Sequence, residues 1–232
     1  MRFKLPPEKY APRYTLEDYI TKEAEELALR LARAGCCYDK IDWENLTTEQ
    51  KQKYVETHLI GLKGECAFWG GLRYNPYKGI ENAKVFIETL EPSCDAKLYG
   101  AEIEIKTQSR QENLSYVGLR VPIQQWTDNQ YDVYFHVYQH IYMPPIKSTK
   151  RFCITGFARK FEVARAETKH SWDHQGNYYE YKWIHYHYLH SYINLDLWNS
   201  HETIQTLKEL TYKYPPYWLS HRWPKSKRSV LF

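Results

Sequence analysis

Leucine and isoleucine recur at helical spacing near the start of the chain, and this pattern predicts a first helix over residues 15–34. Thr15 and Asp18 have the spacing of a capping box at its start, with aspartate in place of the usual glutamate or glutamine. Gly35 follows the last apolar position and is expected to end the helix. The chain is therefore expected to open on a helix with one apolar side.

A second predicted helix covers residues 48–72. Residues 47–50 are Thr-Thr-Glu-Gln, which is typical of a helix N-terminus, and the glycines at positions 70 and 71 mark its end. Gly61 permits a break inside this helix. Glu65 is flanked at helical spacing by apolar residues, so its carboxylate is expected to point toward the core.

From residue 74 onward the pattern changes to short apolar or alternating segments, which predict strands. The predicted strands cover residues 83–90, 101–107, 117–121, 132–138, 152–157 and 178–189. Two further helices are expected over residues 159–166 and 201–210. Together these elements predict an α/β (mixed α+β) fold with a central mixed β-sheet flanked by helices.

The length of 232 residues favours one compact domain with a small appendage. We expect a core with N-terminal helices over residues 1–165, and an aromatic- and histidine-rich C-terminal extension over residues 166–232 that packs on it. Although the mean hydropathy is -0.72, 43% of the residues are apolar or aromatic, so the chain can bury a real core.

The net charge is +4, a mild bias that suits a polyanionic partner without demanding one. The five cysteines are odd in number and have neither C-x-x-C nor framework spacing, which favours reduced thiols in the cytosol. No secretory stretch or bilayer-length apolar run is found, so we expect a soluble, cytoplasmic protein without a membrane partner. No P-loop or dinucleotide glycine pattern indicates a nucleotide cofactor.

The predicted strand over residues 101–107 carries the chemistry of the chain. Side chains alternate along a strand, so Glu102, Glu104 and Lys106 share one face, and Ile103 and Ile105 point to the core on the other. Glu104 and Lys106 are two residues apart, or about 7 Å along the strand. The two side chains can therefore serve one site.

Asp95 precedes this strand, and Gly100 permits a tight reversal that brings Asp95 back beside Glu104. Two carboxylates with backbone oxygens form a hard-oxygen site of the kind that Mg²⁺ prefers. A neighbouring lysine can orient a metal-bound water or help to deprotonate it. The alternative is structural, because Glu-x-Lys is also common on exposed strand faces that do no chemistry.

Asp95 followed nine positions later by Glu104-Ile105-Lys106 resembles the D-(x)n-E-x-K pattern of the PD-(D/E)XK nuclease-like superfamily. Residues 61–68, Gly-Leu-Lys-Gly-Glu-Cys-Ala-Phe, are similar to the G-x-x-G-E-x-A segment that places a glutamate, here Glu65, on an upstream helix of that family. Cys94 stands where the family commonly has a proline. The likeness extends over residues 48–165.

This resemblance implies a restriction-endonuclease-like core and a deoxyribonuclease that uses Mg²⁺, with Mn²⁺ able to substitute. It implies that Asp95, Glu104 and the Ile105 carbonyl bind the metal. It further implies that Lys106 positions the attacking water and that Glu65 holds a metal-bound water or a second ion. The residues expected near the scissile phosphate of the DNA are Gln108, Ser109 and Arg110.

The same resemblance implies an endonuclease of restriction or phage type. Many nucleases of this kind cut as dimers, so a homodimer is expected as well. Three alternatives stay open: a junction resolvase or repair nuclease of the same fold, a nucleic-acid-binding module that does not cut, and an interaction protein whose E-x-K is fortuitous. The four charged residues of the pattern occur together, which favours an enzyme.

Histidines cluster between residues 172 and 190, where His185 and His187 would share one face of a strand. Zinc is conceivable there, but no cysteine pair accompanies these histidines, and ordinary strand positions are the favoured interpretation. The basic segment 222–228 can either clamp phosphates or form a solvated charge cluster.

Overall fold

The structure is a computed structural model that describes residues 13–72, 74–91, 94–98, 101–109, 116–128, 131–139, 151–172 and 178–189. The helices in these ranges are α1 (Asp18–Tyr38), α2 (Thr48–Gly71), α3 (Tyr77–Thr89), α4 (Ile123–Asp128) and α5 (Lys160–Arg165). The strands are β1 (Arg13–Thr15), β2 (Ala96–Leu98), β3 (Ala101–Gln108), β4 (Gly118–Pro122), β5 (Val133–Gln139), β6 (Arg151–Arg159), β7 (Glu167–Trp172) and β8 (Tyr178–His185).

The described strands form two sheets. The larger has the order β1-β6-β5-β3-β2, with β3 and β5 parallel and the other neighbours antiparallel. The smaller is antiparallel, with the order β4-β8-β7, so β8 from the C-terminal half pairs with β4 from the middle of the chain. The predicted class, a mixed sheet flanked by helices, is confirmed.

The larger sheet is covered on both faces. Ile103, Ile105 and Phe135 pack on one face against apolar side chains of α1, α2 and α3. Tyr134 and Tyr138 lie on the other face, in a second cluster with apolar residues of β4 and α5. Every residue of β5 is therefore buried, as expected for a central strand with elements on both sides.

The first helix differs from its prediction at both ends. Thr15 ends β1, and α1 begins at Asp18 after Glu17, whose side chain makes no capping hydrogen bond. The helix also continues past Gly35 to Tyr38. A Cβ at Gly35 would lie 2.5 Å from Nε2 of His58 on α2, so this glycine permits close helix packing rather than termination.

The second helix is confirmed, with its predicted cap. The Thr47 hydroxyl accepts from the Gln50 amide, the Gln50 side chain accepts from the Thr47 amide, and the helix passes through Gly61 without a break.

The strand predicted over residues 83–90 is wrong, because this segment belongs to α3. Its run of β-branched and aromatic residues suggested a strand, but Ile80 and Ala83 form a buried helical stripe. A Cβ at Gly79 would lie 2.9 Å from the Cys66 backbone nitrogen, so the glycine lets α3 lie directly against α2. Tertiary packing overrides local propensity here.

The strands predicted over residues 101–107, 117–121, 132–138 and 152–157 and the short helix at 159–166 are confirmed as β3, β4, β5, β6 and α5. The strand predicted over residues 178–189 ends earlier, at His185, and a 3-10 turn over Tyr186–Tyr188 follows it. The sequence did not predict α4 or β7. The helix over 201–210 and the basic segment 222–228 lie outside the described residues. No helix in the described ranges combines the length and apolar character needed to cross a bilayer.

Helix α2 lies directly against β3 at Gly64. A Cβ at this position would lie 1.8 Å from the Thr107 hydroxyl oxygen and 2.5 Å from the Thr107 methyl carbon. Only glycine fits this contact, which places Glu65, the next residue, beside the end of β3 that carries Glu104 and Lys106.

Substitution at Gly64 tests this contact. We expect Gly64→Ala to lower the free energy of unfolding by at least about 2 kcal/mol, because the methyl group must push α2 away from β3. Gly61→Ala is the matched control in the same helix, since a Cβ at Gly61 meets nothing within 4 Å. It should stabilise the protein by about 1 kcal/mol in the same urea titration. Equal effects of the two variants would contradict the contact.

Candidate functional site

Asp95 and Glu104 lie side by side on neighbouring segments. Strand β2 pairs antiparallel with β3 with Ala96 opposite Ile103, so Asp95, one residue before β2, falls beside Glu104. Asp95 Oδ2 accepts a hydrogen bond of 2.6 Å from the Ile105 backbone N–H. The reversal predicted from the sequence thus brings the first carboxylate onto the strand of the second.

Glu104 is only 5% exposed, although its alternation with Ile103 and Ile105 placed it on the polar face of β3. Its Oε1 accepts hydrogen bonds from Lys106 Nζ and, at 2.7 Å, from Gln125 Nε2 of α4. The Lys106 side chain is 22% exposed, so this ion pair lies mostly inside the protein. Helix α4 and the smaller sheet cover this face, so the Glu-x-Lys pair does not lie on an exposed strand face.

Glu65 completes the acidic group. Its side chain is largely enclosed by neighbouring atoms, although part of its surface reaches solvent. Burial raises the pKa of Glu65 well above its usual range, the negative charges of Asp95 and Glu104 raise it further, and Lys106 opposes them. The structure therefore brings together the four residues that the sequence assigned to catalysis.

The pKa of Asp95 is also raised well above its usual range. Burial is the largest cause, the charge of Glu104 comes next, and Lys106 and the Ile105 N–H act in the opposite direction. Burial and the charges of neighbouring groups thus oppose ionisation of Glu65 and of Asp95, and a cation placed beside them would offset both effects.

The donor chemistry at this position fits Mg²⁺. Within the ranges that the structure describes, no group of three or more His, Cys, Asp or Glu side chains has a metal-holding arrangement. Proteins commonly hold Mg²⁺ with one or two carboxylates and leave several waters on the ion. Asp95 and Glu104 offer that number, and the Ile105 carbonyl belongs to the same short stretch of β3.

Comparison with known proteins adds no relative. No family model, curated protein or solved structure matches this chain. The interpretation of the site therefore depends on its geometry and on the motif in the sequence.

Of the three residues expected near the scissile phosphate, the structure describes Gln108 and Ser109. The Gln108 side chain donates to the Tyr116 carbonyl and accepts from the Gly118 N–H, both at 3.0 Å, so its amide ties β3 to the start of β4. Ser109 follows β3 and is partly buried, and Arg110 lies outside the described residues.

Two polar side chains that were not expected at the site bind Glu104 and Asp95. Gln125 donates to the Glu104 carboxylate, and Asn82 of α3 donates to the backbone carbonyl of Asp95 at 2.7 Å. Neither belongs to the D-(x)n-E-x-K pattern, and no local signal in the sequence places α3 or α4 beside it.

The structure describes the histidine-rich segment only in part. His185 ends β8 and is buried, and His187 belongs to the 3-10 turn that follows, where a continued strand was expected. His174 and His190 lie outside the described residues.

Neutralising Asp95 should stabilise the metal-free protein. The pKa of Asp95 is raised in the folded state, so its carboxyl group does not oppose folding at pH values below the unfolded pKa of about 3.9. As the pH rises through the folded pKa, the carboxyl group ionises and the fold loses that stability. Asp95→Asn keeps an oxygen for the Ile105 N–H but carries no charge. We expect this variant to exceed the wild type in unfolding free energy at pH 8 in EDTA, by a margin that shrinks toward pH 4.

Glu102→Gln is the matched control for this comparison. Glu102 lies on the same strand, but its pair with Lys97, at 3.3 Å, is exposed and worth less than about 1 kcal/mol. Its unfolding free energy should stay close to the wild-type value at both pH values. A destabilised Asp95→Asn at pH 8 would contradict the repulsion inferred for the cluster.

Proposed function

We propose that this protein is a Mg²⁺-dependent deoxyribonuclease with a restriction-endonuclease-like core, and that it acts as an endonuclease of restriction or phage type. The observation that carries the proposal is the folding of Asp95 back onto β3, beside a buried Glu104 that is paired with Lys106. The order of elements supports it as well, since the helix with Glu65 precedes the strands with Asp95 and Glu104, and β5 runs parallel to β3.

Each residue has a role that its position permits. Asp95 and Glu104 would hold the metal with the Ile105 carbonyl, and Mg²⁺ bound there supplies positive charge to the phosphate and acidifies water. Lys106, fixed against Glu104, would hold the attacking water and move its proton. Glu65 would hold a water or a second ion on the side of α2.

The energetic cost of the cluster favours an enzyme over a module that only binds DNA. The partly buried carboxylates Glu65 and Asp95, whose pKa values are raised, destabilise the fold at neutral pH and repel phosphate groups. A binding surface would gain nothing from Asp95, Glu104 and Glu65 in this arrangement, whereas metal-assisted hydrolysis requires it.

DNA cleavage tests the proposal directly. Supercoiled plasmid and linear single-stranded DNA are incubated with the wild type in Mg²⁺, Mn²⁺ or EDTA, and with Lys106→Ala and Asp95→Asn in Mg²⁺. We expect metal-dependent cutting by the wild type and a loss of at least about a hundredfold in rate for both variants. Lys97→Ala removes an exposed lysine of the adjacent strand β2 and should cut at the wild-type rate.

Absence of cutting by the folded wild type on both DNAs in both metals would contradict the nuclease assignment. Cutting that survives in Lys106→Ala and Asp95→Asn would place the activity elsewhere. DNA binding without cutting would favour the non-catalytic module.

Gln125 should matter for cleavage as a residue that positions Glu104. Gln125→Met keeps the length of the side chain but removes the donor to Glu104 Oε1, and we expect about a tenfold to hundredfold loss of cleavage rate. The reduced rate should recover in part at high Mg²⁺ concentration, which a general loss of folding would not produce. Gln124→Met alters an exposed neighbour on the same helix and should leave the rate unchanged.

A further inference from the structure

Asp95 is held at two points, one on its side chain and one on its backbone. Its Oδ2 accepts the Ile105 N–H at 2.6 Å, and its backbone carbonyl accepts from Asn82 Nδ2 of α3 at 2.7 Å. The pairing of β2 with β3 begins at Ala96, so Asp95 itself lies just outside the paired residues. These two hydrogen bonds therefore fix the carboxylate and the peptide of Asp95 separately.

The face of α3 that carries Asn82 also contacts the segment that carries Glu65. Gly79 and Asn82 are three residues apart, so they lie on one face of the helix. A Cβ at Gly79 would lie 2.8 Å from Sγ of Cys66, the residue that follows Glu65. Helix α3 therefore touches the chain beside both carboxylate residues.

Helix α3 is itself fixed to the rest of the protein. Ile80 and Ala83 are buried in the core cluster between the helices and the larger sheet. Lys84 and Tyr77 both donate hydrogen bonds to the Glu23 carboxylate of α1. The helix is thus held against α1 and the core, and it can serve as a rigid spacer between the two carboxylate segments.

The contact with Asp95 accounts for an asparagine at position 82 better than helix formation does. Position 82 lies in the interior of α3, where asparagine is a weaker helix former than alanine. Its side-chain amide donates to the backbone of another segment, at the residue expected to hold the metal. Residues that orient metal ligands from behind commonly change metal affinity by about tenfold to a hundredfold when they are replaced.

We propose that Asn82 is a positioning residue for the candidate metal site, and that it sets the place of the Asp95 carboxylate relative to Glu65 and Glu104. This inference rests on the proposed function and deepens it, because it identifies what orders the ligands before an ion binds. Without the Asn82 hydrogen bond, the Asp95 peptide can turn about the Ile105 contact. The consequence is weaker metal binding by a protein that still folds.

Calorimetric titration of the full chain with Mn²⁺, in the absence of DNA, tests the proposal. Asn82→Ala removes the donor but favours the helix, so this variant should keep a urea midpoint close to the wild-type value and bind Mn²⁺ about tenfold more weakly. Asn82→Leu, which keeps the side-chain size, replaces it if the alanine variant does not fold. Glu81→Ala alters the exposed neighbouring residue of the same helix and should bind Mn²⁺ as the wild type does.

Amide hydrogen exchange of Ile105 in EDTA, followed by NMR, gives a readout that does not depend on a metal. The Ile105 N–H donates to the Asp95 carboxylate, so displacement of that carboxylate should speed its exchange by about tenfold. The Phe135 N–H is the internal reference, because β5 is paired on both sides, and its exchange should stay at the wild-type rate.

Two results would overturn the positioning role within these experiments. Weaker Mn²⁺ binding with unchanged Ile105 exchange would show that Asn82 does not act through Asp95. Unfolding of both Asn82 variants would assign the residue to stability alone.

The positioning role and the nuclease assignment fail in different ways. If the wild type cuts DNA but Asn82→Ala keeps the wild-type Mn²⁺ affinity and Ile105 exchange, the positioning role is overturned and the nuclease stands. If Asn82→Ala weakens Mn²⁺ binding and speeds the exchange but the wild type cuts no DNA, the positioning role stands and the nuclease fails. A wild type that binds no Mn²⁺ overturns the positioning role.

Discussion

The enclosure of three neighbouring carboxyl groups is the constraint on which this structure depends. Glu65, Asp95 and Glu104 meet where α2 lies against β3, and burial and the neighbouring negative charges raise the pKa of Glu65 and of Asp95. The Ile105 N–H, Lys106 and Gln125 offset part of that cost through direct hydrogen bonds. The raised pKa values make ionisation of this group costly, and a bound cation would offset that cost.

The rest of the fold holds this group in place. Gly64 allows α2 to touch β3 at Thr107, which brings Glu65 to the cluster, and the antiparallel pairing of β2 with β3 brings Asp95. Helix α4 and the smaller sheet cover the other side and exclude water from Glu104.

The sequence predicted the local part of this arrangement. Alternation along residues 101–107 and the reversal near Gly100 were sufficient to pair Asp95 with Glu104, and the Thr47 cap located α2. The apolar run in α3 concealed a helix, because the stripe that decides its structure is visible only once α2 packs against it. The burial of Glu104 and the contact of Gln125 could not be predicted, since both depend on how the smaller sheet folds over β3, and that sheet joins segments separated by some fifty residues.

Metal binding by the DNA-free protein tests the central claim most directly. Titration with Mn²⁺, followed by the loss of its free electron paramagnetic resonance signal, should show binding to the wild type and weakened or abolished binding to Glu104→Gln and Asp95→Asn, with Mg²⁺ competing. The exposed variant Glu102→Gln should bind as the wild type does. Absence of binding to the wild type, or binding that survives both site substitutions unchanged, would contradict the account of the carboxylate cluster as a cation site.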